Sequence, residues 1–108
     1  SGTYVKHKAL KRLKNELGKI KSSNDFQSVE KSIYAYFSTQ LGISEVGLDS
    51  RIIRTKLLDL VDSDSIQVLQ DILANCGLGQ YAKSTKEILA PQLAYETIKL
   101  IVEIDKQL

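Results

Sequence analysis

The side chains that could take part in catalysis are few in this chain and stand far apart. His7, the single histidine, lies among lysines near the N-terminus, and Cys76, the single cysteine, falls among apolar residues at helical spacing. A lone histidine in a charged segment is usually solvated, and a free cysteine on an apolar stripe usually packs as a small hydrophobic side chain. We therefore expect neither residue to act as a nucleophile, a general base or a metal ligand.

The carboxylates and glycines offer no stronger signal. Asp59, Asp62 and Asp64 stand close together and could hold a cation, but the glycine and the distal glutamate of a calcium loop are missing. Aspartates before an apolar segment of helical period are typical N-caps. Gly77-Leu78-Gly79 lacks the third glycine and the preceding strand of a phosphate-binding loop. The sequence thus predicts no catalytic residue, no metal, no cofactor and no small-molecule substrate, and a protein that is not an enzyme.

The basic residues, in contrast, are concentrated at one end of the chain. The 108 residues carry a net charge of only +2, but residues 1–21 hold seven Lys or Arg and one acid, whereas residues 22–108 hold eight and twelve. Three interpretations of the basic segment are open. It is the solvated face of an amphipathic helix, a surface that neutralises nucleic-acid phosphates, or a juxtamembrane segment attracted to anionic headgroups.

The elements that must position these residues are helices. Apolar residues recur every three or four positions, and nothing alternates with a period of two for long enough to form a strand. The first helix is predicted at 5–21, and most of its cations lie off its apolar stripe. That stripe consists of Val5, Ala9, Leu13, Leu17 and Ile20.

The second helix is predicted at about 25–41. Asn24, with Gln27 three residues later, has the spacing of a capping box, and Gly42 is placed to end the helix in the left-handed conformation. The residues predicted to be buried are Phe26, Val29, Ile33, Tyr36, Phe37 and Leu41.

A short third helix and a longer fourth helix follow. Asp49-Ser50 offers a cap for the third and Asp62-Ser63-Asp64-Ser65 a cap for the fourth, which Gly77 and Gly79 are predicted to end. The apolar residues of the third helix are Ile53, Leu57, Leu58 and Leu60, and those of the fourth are Ile66, Leu69, Ile72, Leu73 and Cys76.

A capping box of Ser84 and Glu87 predicts a fifth helix, in which Pro91 marks either a kink or a fresh start. Asp105 interrupts its apolar stripe and indicates that the stripe frays there. The sequence therefore predicts an all-α fold, a compact bundle of about five helices.

The chain is interpreted as an excised fragment, because Ser1-Gly2-Thr3 looks like a cloning remnant. Residues 4–108 are predicted to form a single helical domain, with a basic leading helix (5–21) and a bundle body (24–108). No stretch approaches the ~18–20 consecutive apolar residues of a spanning helix, so the fragment itself is expected to be soluble.

Three motifs follow one another in an order similar to that of a known family. They are Ala9-Leu10-Lys11-Arg12-Leu13, the run Ile33-Tyr34-Ala35-Tyr36-Phe37 in a helix led by Phe26, and Asn75-Cys76-Gly77-Leu78-Gly79-Gln80-Tyr81-Ala82. From about residue 8 to the end, the chain resembles the C-terminal cytoplasmic region of BatD proteins, the bacterial oxygen-tolerance or aerotolerance family. It departs from the family pattern at Gly77, Gln80 and Lys83, where an acid, an arginine and a proline are usual.

The resemblance implies a non-enzymatic protein-interaction module, the domain of a membrane-anchored protein at the cytoplasmic face of the bacterial inner membrane. The implied partners are BatA- and BatB-like von Willebrand A-type proteins and a MoxR-type AAA+ ATPase, acting in aerotolerance or envelope stress. The motif positions that carry an implied structural or interaction role are Tyr36, Cys76, Tyr81 and Ala82.

A domain that follows a spanning helix would place its leading cations near the headgroups of an anionic membrane surface. The alternative is a small helical nucleic-acid-binding domain that uses the same cations. The excess of acids in residues 22–108 argues against that alternative, so nucleic acid is not expected as a partner. The candidate membrane-proximal residues are Lys6, Lys8, Lys11, Arg12 and Lys14.

Overall fold

Five α-helices and one 3-10 turn make up the part of the chain that the structure describes. A computed structural model covers residues 2–81 and 88–108, and it describes the side chains of residues 5–77 and 88–108. No strand occurs among these residues, so the predicted all-α bundle is confirmed. The helices are α1 (Gly2–Gly18), α2 (Phe26–Leu41), α3 (Ser50–Leu57), α4 (Ser63–Tyr81) and α5 (Ala90–Asp105), and the 3-10 turn is Glu45–Gly47.

The central pair of the bundle is α2 and α5. Each contacts the other, and α1 and α4 both pack on this pair. The short helix α3 packs on α4. Among the described elements, α1 is therefore an outer helix, covered by α2 and α5 and open to solvent on its remaining side.

The core is formed by the apolar stripes that the helical period predicts. The Phe37 side chain is fully buried, and the Tyr36 ring meets it edge to face, with centroids 5.0 Å apart and ring planes at 84°. Cys76 of α4 is fully buried as well, as expected for a small hydrophobic side chain. Other apolar residues with no exposed surface are Val29, Ile33, Ile53, Leu57, Leu69, Ala90, Ile101 and Ile104.

The start of α2 differs from the prediction by one residue. Asp25 caps the helix, and its Oδ1 accepts a hydrogen bond from the backbone N–H of Ser28 at 3.2 Å. The predicted Asn24 cap is wrong, because its side-chain oxygen accepts from the Ser22 hydroxyl at 2.7 Å instead. At the other end, Gly42 takes a φ of +68°, the left-handed conformation predicted for it.

Three residues assigned to apolar stripes are exposed. The helix α3 ends before Leu58 and Leu60, which are 50% and 52% exposed, and Val61 is buried in the turn that follows them. Val5 is 47% exposed, so the buried stripe of α1 begins one turn later, at Ala9.

The ends of α1 and α4 also differ from the prediction. The helix α1 ends at Gly18 rather than at residue 21, and Ile20 is buried just beyond it. The helix α4 continues past Gly77 and Gly79 to Tyr81. A glycine inside a helix costs about 1 kcal/mol relative to alanine, which weakens a helix but does not by itself end it.

The start of α5 decides between the two roles considered for Pro91. The helix begins at Ala90, with Pro91 in its first turn, so Pro91 marks a fresh start. The Ala90 N–H donates to the backbone oxygen of Ser23 at 2.8 Å, which ties this start to the turn between α1 and α2. The predicted capping box of Ser84 and Glu87 lies outside the described residues.

Asp62 caps α4, the role predicted for the aspartates between α3 and α4. Its two carboxylate oxygens accept from the backbone N–H and from the hydroxyl of Ser65, both at 2.8 Å. The side-chain amide of Gln107 also donates to it at 2.9 Å. These bonds, led by that of the Ser65 N–H, hold the pKa of the Asp62 carboxyl below its ordinary value of 3.8.

A pH dependence of stability follows from this lowered pKa. A carboxyl whose pKa is lower in the folded chain stabilises the fold above its unfolded pKa, and the contribution is lost as pH falls through the folded pKa. We therefore expect the Tm of the natural chain to exceed that of Asp62→Asn at neutral pH and to converge with it at about pH 2. Asparagine still caps a helix and, like the protonated carboxyl, keeps one carbonyl-type acceptor, so the variant mimics protonation of Asp62.

Thermal unfolding at both pH values measures this difference. The matched control is Asp59→Asn, at an exposed position that accepts none of these hydrogen bonds, and it should not reproduce the change. An Asp62→Asn variant with the same Tm offset at both pH values would contradict the assignment.

Candidate functional site

One side of α1 is buried, and the candidate cations other than Lys6 lie away from that side. Ala9, Leu13 and Leu17 are buried where α1 packs on α2 and α5. A spacing of four residues keeps them on one side of a helix with 3.6 residues per turn. The five predicted cations are all exposed, and they are Lys6, Lys8, Lys11, Arg12 and Lys14.

The positive charge of α1 is little compensated within the described part of the chain. Glu16 is the single acid of this helix, and its carboxylate lies 3.4 Å from Lys19 Nζ. The ion pairs formed by described side chains do not include Lys6, Lys11, Arg12 or Lys14. The charge of these four side chains is therefore available to a partner.

Three of the five cations come together on one patch of the helix. Lys8, Lys11 and Arg12 line an open depression of about 520 Å³, and Asn15 is the fourth described residue that lines it. Residues at positions i, i+3, i+4 and i+7 share a helix face, with neighbouring Cβ atoms about 5–6 Å apart. We call Lys8, Lys11, Arg12 and Asn15 the α1 quartet.

The other two predicted cations lie elsewhere on α1. At about 100° per residue, Lys14 lies about 60° around the helix axis from Lys11, and Lys6 lies about 140° from it in the same direction, away from the rest of the quartet. Neither is among the described residues that line the depression. The exposed apolar residue Val5 lies on the quartet side instead, three residues before Lys8.

A hydrogen-bond network holds the first half of α1 on the bundle. Gln40 of α2 donates from Nε2 to the backbone oxygen of Lys6 at 3.4 Å and to Asp105 Oδ1 at 2.9 Å. The Tyr36 hydroxyl donates to the same Asp105 oxygen. Burial, and then the bond to Asp105, raises the pKa of the Tyr36 hydroxyl well above its usual range, so Tyr36 remains a donor. The interpretation of Asp105 as a frayed position is wrong, because its half-buried carboxylate joins α2 to α5.

Two other concave regions border α1. A cavity of about 40 Å³ between α1 and α2 has room for water but not for an organic ligand, whose sites usually measure about 300–1,000 Å³. A depression of about 400 Å³ near the turn between these helices carries charges of both signs, from Glu16, Lys19, Asp25 and Lys31. Glu16 pairs with Lys19, and Asp25 caps α2, so three of these four charged groups already have a structural role.

The motif positions implied by the resemblance lie outside the α1 quartet. Cys76 and Tyr36 are both buried in the core. Tyr81 is the last residue of α4, and its side chain and Ala82 lie outside the described part of the chain. His7 is exposed on α1. The described residues contain no group of three His, Cys, Asp or Glu side chains that could hold a metal ion.

No family model, curated protein or solved structure matches this chain. The chemistry of the exposed side chains is therefore the guide to its function. Lysine and arginine only donate hydrogen bonds, and both are cationic, so the quartet suits an anion. None of the described helices is long and apolar enough to cross a membrane.

Two residues of this region were not predicted from the sequence. Asn15 completes the quartet four residues after Lys11, and the helical period that marks the apolar stripe would have placed it there had it been applied to polar residues as well. Gln40 has no comparable local signal, because its contacts with Lys6 and Asp105 span 34 and 65 residues of sequence.

Proposed function

We propose that this chain is a non-catalytic interaction domain that docks on an anionic membrane surface through the cations of α1. The observation that carries the proposal is the two-sided character of α1. Its apolar stripe packs on α2 and α5, while Lys8, Lys11, Arg12 and Lys14 and one paired acid make up the charges of its solvent side. Anionic lipid headgroups attract each Lys or Arg near the surface by about 1 kcal/mol.

Two features favour a membrane over a nucleic acid as the anionic partner. Residues 22–108 carry four more acids than bases, and this net negative charge would repel the phosphates of a duplex that extends past α1. Val5, an exposed apolar side chain, borders the cations, and apolar contact adds to headgroup attraction when a helix lies in a membrane interface.

The expected affinity of α1 for an anionic membrane is modest. Lys8, Lys11, Arg12 and Lys14 at about 1 kcal/mol each supply roughly 4 kcal/mol, which corresponds to a dissociation constant of about 1 mM. Binding of this strength orients a domain that is already held near a membrane but does not anchor it alone.

We further propose that the domain is the cytoplasmic C-terminal part of a BatD-like protein at the inner face of the bacterial inner membrane. The resemblance of its three motifs and the modest strength of the α1 cations, which suits a domain held by a spanning helix upstream, support this proposal. BatA- and BatB-like von Willebrand A-type proteins and a MoxR-type ATPase are the corresponding partners. The buried positions of Tyr36 and Cys76 suit motif residues that maintain the fold.

Co-sedimentation with vesicles tests membrane docking. The chain should bind vesicles that contain phosphatidylglycerol and should not bind vesicles of neutral phosphatidylcholine. Its affinity for the anionic vesicles should fall as the salt concentration rises. The double variant Lys11→Gln/Arg12→Gln should bind about 30-fold more weakly, because two contributions of about 1 kcal/mol are removed.

The matched control is Arg54→Gln/Lys56→Gln, which removes the same charge from exposed positions on α3. It should bind nearly as well as the natural chain. Equal sedimentation with anionic and neutral vesicles at low salt would refute docking. Tight binding to duplex DNA at physiological salt, weakened by Lys11→Gln/Arg12→Gln, would favour the nucleic-acid alternative instead.

A further inference from the structure

We infer that the α1 quartet recognises one headgroup class, a lipid phosphate monoester, and prefers it to a phosphodiester headgroup of the same membrane charge. This inference rests on the proposed membrane docking and names the ligand of the same surface. It is carried by the convergence of Lys8, Lys11, Arg12 and Asn15 on one depression. General attraction to an anionic surface requires only that the cations lie on the same side of the helix, and not that they surround one depression.

The donors of the quartet suit a compact anion with several oxygens. Neighbouring Cβ atoms at these spacings are about 5–6 Å apart, so the long side chains can reach a single phosphate. Arg12 offers a planar fork that binds two phosphate oxygens at once, whereas Lys11 offers a mobile point charge. Asn15 adds a neutral amide donor at the edge of the same depression.

The charge of the ligand distinguishes the two headgroup classes. A phosphate monoester has a second pKa near 6 and carries about −1.5 to −2 at pH 7, whereas a phosphodiester carries one negative charge. Cations held close to the monoester lower that second pKa further and favour the dianion. The quartet therefore gains more from the second charge of a monoester than from the single charge of a diester.

The nearest acid in sequence leaves Lys11 and Arg12 able to bind a headgroup. Glu16 follows Arg12 by four residues, a spacing at which the two side chains could pair. In the structure its carboxylate lies beside Lys19 Nζ, at 3.4 Å. Neither Lys11 nor Arg12 has an ion-pair partner among the described side chains, so a headgroup does not have to displace one.

Vesicle binding with two anionic lipids tests the inference. Vesicles that contain phosphatidic acid are compared with vesicles that contain enough phosphatidylglycerol to give the same measured surface potential. The natural chain should bind the phosphatidic acid vesicles about tenfold more tightly at pH 7, the gain expected from one additional charge-assisted hydrogen bond. The preference should shrink below about pH 6, where the monoester takes up its second proton.

Two variants with equal loss of charge separate the quartet from general attraction. Lys11→Gln/Arg12→Gln should abolish the preference for phosphatidic acid. Lys6→Gln/Lys14→Gln, which lies outside the quartet, should weaken binding to both vesicles and keep their ratio. A ratio of one for the natural chain, with anionic binding retained, overturns this inference and leaves membrane docking in place. Absence of binding to either anionic vesicle overturns both.

Glycerol 3-phosphate in solution distinguishes a lipid from a soluble ligand. Amide shifts of α1 in NMR titration should stay small up to millimolar concentration, because a soluble monoester lacks the surrounding membrane charge. Saturation well below 1 mM would mean that the quartet serves a soluble phosphate monoester, and it would overturn the assignment to a lipid.

Discussion

Phe37→Ala is expected to lower the free energy of unfolding by about 3–5 kcal/mol. Phe37 is fully buried in α2, and its ring meets Tyr36 edge to face. Truncation removes the transfer free energy of the ring, leaves a cavity in the core and abolishes the aromatic contact. The total stability of a domain of this size is about 5–15 kcal/mol, so this single change removes a large fraction of it. Urea denaturation followed by circular dichroism measures the loss.

Tyr95→Ala is the matched control, because it also truncates an aromatic residue to alanine. Tyr95 is 61% exposed on α5, and Lys99 Nζ lies 4.8 Å from the centroid of its ring. An exposed cation–π contact is worth about 0.5–1 kcal/mol, so we expect a loss of about 1 kcal/mol or less. A Phe37→Ala variant no less stable than Tyr95→Ala would contradict the placement of Phe37 in the core.

Asp105→Ala is expected to have the next largest effect on stability, a loss of about 2–4 kcal/mol. Its carboxylate accepts from the Tyr36 hydroxyl and from Gln40 Nε2, and hydrogen bonds to charged groups are worth about 1.5–3 kcal/mol. A negative charge at the last residue of a helix opposes the helix dipole by about 0.3–1 kcal/mol, which reduces the net loss. The measurement is again urea denaturation.

Two controls test the source of this loss. Glu103→Ala removes an acid from the same helix, but Glu103 is exposed and pairs only with Lys106 at the surface, so about 0.5 kcal/mol or less is expected. A double-mutant cycle of Tyr36→Phe and Asp105→Ala should show a coupling of about 1 kcal/mol. Strictly additive losses would show that the two side chains do not interact.

The buried stripes were predictable where the backbone stays helical. The four-residue spacing of Ala9, Leu13 and Leu17 puts all three on one side of a helix, and all three are buried. The same rule failed at Leu58 and Leu60, since α3 ends before them. Periodicity states which residues share a face only while the helix continues, and the end of α3 has no glycine or proline to mark it.

The capping residue of α2 and the partner of Asp105 were less predictable. Asn24 and Asp25 are adjacent and both are good capping residues. The choice depends on the Ser22 hydroxyl, which occupies the Asn24 oxygen. The role of Asp105 lay further out of reach, because its partner Tyr36 is 69 residues away in sequence. The local sequence pattern indicates only that the charged Asp105 interrupts the apolar stripe of α5.

The candidate site was predictable in its charge and only partly in its geometry. The excess of cations before residue 22 is visible in the composition. Their grouping depends on where α1 packs, since burial of the Ala9 side of the helix leaves Lys8, Lys11 and Arg12 around one depression. Lys6 was grouped with them by proximity in sequence, but the helix turns it well away from Lys11.

The contacts of Gln40 have a consequence for how the domain can be joined to other polypeptides. The side-chain amide of Gln40 contacts both Lys6 and Asp105, so the start of α1 and the end of α5 lie side by side at one end of the bundle. The hydrogen bond between Ser23 and Ala90, in contrast, joins two internal parts of the chain, the turn between α1 and α2 and the start of α5. Paired ends of this kind are typical of domains that tolerate insertion into a host loop. Polypeptides fused at the start of α1 and at the end of α5 would therefore leave the bundle at the same end.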